Sequence, residues 1–154
     1  MSNIGTEEQR YLNFSLGAEE YGVPLLTVKE VIAVPEMTPI PFTPPHFIGV
    51  MNLRGQVISV IDLRRKLGVK EIKGKEEAVI ICDLGQSSLG MVVDSVNSVI
   101  SPAAEELSAP PDVNTGTNTD YLTNVYRSEK KLVFLIDIIR LLDPQDRNAL
   151  NRAG

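Results

Sequence analysis

Arg54 stands in the corner Asn52-Leu53-Arg54-Gly55, between two apolar, β-branched runs, Val50 to Leu53 and Val57 to Ile61. A guanidinium stays charged at every accessible pH and offers five donors in a fixed fork, so it recognises acceptors rather than moving protons. The Arg-Gly pair suits a tight hairpin turn. Strand alternation then turns Met51 and Leu53 inward and Asn52 and Arg54 outward. Taken alone, such an arginine is solvated surface; the alternatives are a salt bridge to a nearby carboxylate or a contact with a partner.

Groups suited to catalysis are sparse. The single histidine, His46, lies in a Pro-Pro-His-Phe turn and reads as a structural loop residue. The single cysteine, Cys82, sits in the apolar run Ala78 to Cys82 as a small buried hydrophobe, and one Cys with one His makes no Cys/His zinc site unless carboxylates join them. Gly85 to Gly90 lacks the spacing of a nucleophile elbow and reads as a hairpin turn. Gly74-Lys75 is followed by Glu76, which leaves no phosphate cradle. Asp83 and Asp94 are expected to be solvent-facing carboxylates at strand ends rather than an acid and a base. The chain is therefore expected to be no enzyme and to need no cofactor or metal.

At 154 residues, 43% hydrophobic and 23% charged, the chain has the size and composition of one globular domain. A net charge of -5 with no basic stripe argues against a general grip on nucleic acid or anionic lipid. A lone cysteine fits a reducing cytoplasm, Met1 to Glu8 shows no secretory pattern, and no apolar run is long enough to insert in a membrane.

The elements that would position Arg54 can be read from periodicity. Arg10 to Gly17 alternates with period two and restarts at Glu20 to Pro24, an opening hairpin. Val28, Val31 and Ile32 have helical spacing, so one or two helical turns are expected over Leu25 to Ile32. Prolines make Val34 to His46 an extended connector, and the Arg54 hairpin comes next. Asp62 caps a helix over Leu63 to Leu67 that stops at Gly68. A charged loop over Val69 to Glu77 leads to two strands, Val79 to Leu84 and Leu89 to Val93, the second continuing towards Ile100. Ala109 to Asp120 is a turn-rich connector and the expected most mobile internal segment. Tyr121 to Ile136 makes a last hairpin, Asp137 opens a helix through Leu142, and Asp143-Pro144 begins another turn.

A repeat runs through these elements. Leu16-Gly17, Tyr21-Gly22, Val28, Val31 and Ile32 recur as Leu84-Gly85, Leu89-Gly90, Val96, Val99 and Ile100, all 68 positions on (16 to 84, 32 to 100). Ile61-Asp62, Arg65 and Leu67 recur as Ile136-Asp137, Arg140 and Leu142, all 75 positions on (62 to 137, 67 to 142). Two antiparallel β-units that close into small barrels are expected, with a binding groove between them.

Leu16-Gly17, Tyr21-Gly22-Val23, Val28-Lys29-Glu30-Val31, Pro44 to Gly55 with Asn-Leu-Arg-Gly at its end, and Val60-Ile61-Asp62-Leu63-Arg64 together resemble the CheW family of bacterial chemotaxis coupling proteins. The likeness runs from about Arg10 to Leu142, with Asn-Leu-Arg-Gly its most specific part. It implies a mainly β fold of two intertwined five-stranded SH3-like barrels with a few short helices. It also implies one domain over 10–142, a flexible N-terminus over 1–9 and a C-terminal helix or tail over 143–154. The implied function is a non-enzymatic adaptor between chemoreceptor signalling tips and the regulatory domain of the histidine kinase CheA, cytoplasmic and tied to receptor arrays through those partners. The family joins the kinase barrel to barrel. By the same likeness Val28, Val31 and Val99 would line the receptor groove, the first two on a groove helix, and Glu30 would pair with Arg54. The chain departs from the family at Asn124, where glycine is usual. A CheW-like role in pilus motility or another cascade, and a small ligand-binding barrel, stand as the alternatives.

Overall fold

The computed structural model describes residues 9–70, 76–110, 120–129 and 131–153. Eleven strands are described: β1 (Tyr11–Leu16), β2 (Glu19–Pro24), β3 (Val28–Ala33), β4 (Phe47–Leu53), β5 (Gln56–Asp62), β6 (Ala78–Asp83), β7 (Ser88–Val93), β8 (Ser95–Ile100), β9 (Leu107–Ser108), β10 (Leu122–Ser128) and β11 (Lys131–Ile136). Three short α-helices accompany them, α1 (Leu63–Leu67), α2 (Ile138–Leu141) and α3 (Pro144–Ala153). The N-terminal residues 1–8, most of the charged 69–77 loop and most of the 109–120 connector lie outside the described residues, and with them the flexibility expected of the first and the last.

The strands form two sheets, ordered β8-β1-β2-β11-β10-β9 and β3-β6-β7-β5-β4. Each sheet takes a hairpin from one half of the chain and its other strands from the other half. The first barrel combines β1-β2 with β8 to β11, and the second combines β6-β7 with β3, β4 and β5. The barrels are thus intertwined, as the family likeness implied, but neither half closes on itself. The sheets are also not purely antiparallel, because each exchanged hairpin docks with one parallel pairing, β2 on β11 and β7 on β5.

The repeat is reproduced in register. Val28 lies opposite Cys82 and Val96 opposite Phe14, with a bulge after each, at Lys29 and at its counterpart Asn97. A bulge adds one residue to a strand and sharpens its bend, which helps a small sheet curl. The second sheet closes where the chain leaving β3 returns at Thr38 to exchange two 2.9 Å backbone hydrogen bonds with Val50 of β4. Gly49 permits this approach: its φ is +147°, and a Cβ there would lie 2.6 Å from the Thr38 carbonyl oxygen. Its counterpart Asn124 sits at the matching bulge of β10, and among the described residues only Phe42 and Arg54 carry positive φ outside glycine. Asn124 takes this place without a left-handed backbone.

Leu25 to Ile32 is not helical. A single 3-10 turn at Leu25–Thr27 leads directly into β3, where half-buried Val28, Glu30 and Ile32 alternate with exposed Lys29, Val31 and Ala33. The helical spacing misled because Val31 faces out, while pairing with β6 and β-branched side chains favour the strand. The strand expected over Leu89 to Val93 is present as β7, but its continuation towards Ile100 is not: Asp94 ends it, and β8 serves the other sheet.

The core has three parts. Met51, Ile58, Val60, Val79, Ile81 and Val92 fill the second barrel, and Tyr11, Val133 and Leu135 fill the first. Between the barrels a larger cluster joins Phe14, Leu16 and Val23 to Ile61, Ile80, Leu89, Met91 and Ile136. Cys82 belongs to it, as expected, and burial pushes its thiol up to about 12. Helices α1 and α2 begin at repeat-related aspartates. The Asp62 carboxylate accepts from the Arg64 N–H, and the Asp137 carboxylate from the Ile139 and Arg140 N–H groups. Helix α1 ends at left-handed Gly68, as its sequence indicated.

Candidate functional site

Strands β4 and β5 turn through Arg54 at φ +52° and Gly55 at φ +87°, the double positive φ of the turn that suits a right-twisted hairpin. The Asn52 side chain steadies it by accepting from the Gly55 N–H at 3.0 Å. Glycine or asparagine fits the Arg54 position with less steric cost, so the turn itself does not call for arginine there.

That side chain reaches across the open side of the sheet to β3. Arg54 Nη1 donates to Glu30 Oε1 at 2.7 Å and Nη2 to Glu30 Oε2 at 2.9 Å, a bidentate fork on one carboxylate. The hydrogen bonds from Arg54 hold the Glu30 carboxyl below the usual carboxylate range, and the same bonds raise Arg54. The pairing expected of Glu30 and Arg54 is present, and the arginine is not merely solvated.

The three valines separate. Val28 is half-buried and packs against the shared core. Val31 and Val99 are 40% and 47% exposed on β3 and β8, repeat-related strands at the edges of different sheets. Neither belongs to a described hydrophobic cluster.

Two clusters had no sequence signal. Arg64 is buried and donates to both Asp62 oxygens at 3.0 Å, to Asp94 Oδ1 at 2.9 Å and to Glu77 Oε2 at 2.8 Å. Asp94 Oδ2 accepts from the Gly17 N–H at 2.6 Å. Asp94 is therefore fully buried, contrary to the solvent-facing expectation, and joins α1 of one barrel to the β1-β2 turn of the other. Burial opposes the Arg64 charge, but its hydrogen bonds to Asp62, Glu77 and Asp94 outweigh it and raise the group. The second cluster anchors α3. Buried Asp146 has His46 Nε2 at 2.6 Å on one oxygen and Lys66 Nζ at 2.8 Å on the other, which gives His46 the structural role expected of it. Asp83, by contrast, is exposed, and its carboxylate accepts the Gly85 N–H within the β6-β7 turn.

Repeat-related clefts open at one end of each barrel. A cleft of about 990 Å³ is lined by Lys29, Gln56, Val57, Asp83, Ser88 and Arg147. Its counterpart of about 630 Å³ is lined by Glu19, Glu20, Arg127, Glu129, Lys131 and Leu132. Val57 and Leu132, 75 positions apart (57 to 132), are 53% and 49% exposed. The first cleft has more cations than acids among these residues, and the second more acids than cations. Among the described residues no cluster is placed to hold a metal ion, and no described helix is long and apolar enough to cross a membrane.

Comparison with known proteins converges on one family. A model of the CheW-like domain matches residues 10–146. The chemotaxis protein CheW of Klebsiella aerogenes is 37% identical over 142 residues, covering 92% of this chain and 86% of the relative. CheW of Bacillus subtilis is 31% identical, covering 89% and 88% of the two chains, and protein FrzA of Myxococcus xanthus is 30% identical, covering 94% and 92%. The crystal structure of a scaffolding CheW protein from Thermoanaerobacter tengcongensis superposes with a TM-score of 0.81 at 31% identity, over 90% of this chain and 95% of that one. With the exchanged barrels, the Arg54 corner and these matches in agreement along nearly the whole chain, it belongs to the CheW family of chemotaxis scaffold proteins.

Proposed function

We propose that this chain couples transmembrane chemoreceptors to the histidine kinase CheA, without enzymatic activity of its own. The observation that carries this reading is the Arg54-Glu30 fork. It is a bidentate charge pair at the barrel surface, held on a left-handed turn and flanked on β3 by outward-facing Val31. Such a corner suits docking of a helical receptor tip, with apolar side chains supplying affinity and rim charges fixing register. Val31 and Val99 would give the apolar anchors, one from each barrel.

The opposite charge balance of the two barrel-end clefts supports a second, barrel-to-barrel contact with the kinase regulatory domain. Two separate surfaces are what a coupling protein needs. A pull-down against a CheA regulatory domain and a receptor signalling tip tests the assignment. Retention of both partners is expected, and retention of neither overturns it.

A further inference from the structure

We propose that this chain also assembles as a hairpin-exchanged dimer, in which residues 11–24 of each copy complete the first barrel of the other. The β1-β2 hairpin finds its sheet partners far along the chain: β1 pairs with β8, and β2 with β11. All of β3 to β7 intervene and build the other barrel. A second copy offers the same β8 and β11 with the same register. Exchange between copies would repeat what the two halves already do within one chain.

The two connections that carry the exchange differ in a way that selects this hairpin. From β7 to β8 the chain passes through Asp94 alone, which is buried and bound by Arg64 and Gly17. That crossing is pinned. From β2 to β3 it passes through the 3-10 turn at Leu25–Thr27, in which no residue is buried. The turn rests on the Leu25 N–H donating to the Arg10 carbonyl and the Thr27 hydroxyl donating to the Pro24 carbonyl, each at 2.8 Å. Extending it joins β2 and β3 into one long strand at the loss of these two hydrogen bonds, of the one from the Val28 N–H to the Leu25 carbonyl, and of the packing of half-buried Leu25 against the shared core. Short hinges of this kind favour swapping.

Leu26 indicates what covers the opened hinge. It is 93% exposed, a large aliphatic side chain with little to pack against in the single chain. In the exchanged dimer the two extended hinges run past each other about a twofold axis, and each Leu26 gains its partner's Leu26 as cover.

Ser15 of β1 and Ser95 of β8 are register partners, and strand neighbours lie within disulfide reach. The full chain carrying Ser15→Cys and Ser95→Cys is refolded at high protein concentration and separated by size with light scattering. It is then oxidised, denatured and run without reductant. Cys82, buried with a thiol raised to about 12, stays out of the reaction. A covalent dimer from the dimer peak, with uncrosslinked-mass chains from the monomer peak, is the expected result. A dimer peak that separates into single chains, or no dimer at any concentration, overturns the proposal. In the otherwise native chain, Leu26→Asp is expected to abolish the dimer peak without shifting the monomer melting temperature, and a dimer that persists in this variant contradicts the assigned hinge.

Discussion

Arg54 and Glu30 hold each other by two hydrogen bonds at a corner that depends on neither for packing. Arg54→Asn is the sharpest probe of that corner, because asparagine accepts the left-handed backbone while removing the cation. Circular dichroism and the melting temperature are expected to stay near those of the parent, whereas binding of a receptor tip falls; lost folding would instead make Arg54 structural. Acid gives an independent readout. The Glu30 carboxyl is depressed, so the pair is intact above the ordinary carboxylate value and is lost as pH falls through the lower folded-state value. Receptor-tip binding that depends on the pair should therefore hold from neutral pH through mild acid and fall below the ordinary Glu range. Binding unchanged down to that lower range would separate Glu30 from recognition.

At the scale of elements, the buried Arg64 network is the main tie between exchanged hairpin and helix. Asp94→Ala leaves Arg64 and the Gly17 N–H short of an acceptor, and breaking a buried pair of this kind costs about 3–5 kcal/mol. Urea unfolding of the purified variant should show that loss, and a change near zero would mean the network is solvated. Gly90 sits where a Cβ would lie 2.9 Å from Val79 Cγ1 and 3.2 Å from Val60 Cγ2. Gly90→Ala should destabilise by about 1–3 kcal/mol in the same assay, the usual cost of overpacking a small core. The hairpins, the aspartate caps and the stop at Gly68 were legible because each rests on local chemistry. Strand β3 was not, because Val28, Val31 and Ile32 fit helical spacing until pairing with β6 decides otherwise. Asp94 was misassigned for the same reason: only tertiary contact with Arg64 and Gly17 reveals why an aspartate ends β7.

For the whole molecule, the intervals of 68 and 75 positions announced a duplication, and Phe14 against Val96 beside Cys82 against Val28 shows it in register. What spacing could not show is the exchange of hairpins, because either pairing satisfies the same alternation. The exchange matters to function, since it places the main core between the barrels and ties the two barrel ends together through it. A body of this kind can hold receptor and kinase in a fixed relation. The most direct measurement is CheA autophosphorylation in receptor-containing membranes, with this chain or its Arg54→Asn variant added. The parent chain is expected to raise kinase activity and place it under attractant control, and the variant to do neither while remaining folded. Kinase activity indifferent to the parent chain, or fully restored by the variant, would contradict the coupling role assigned to the Arg54 corner.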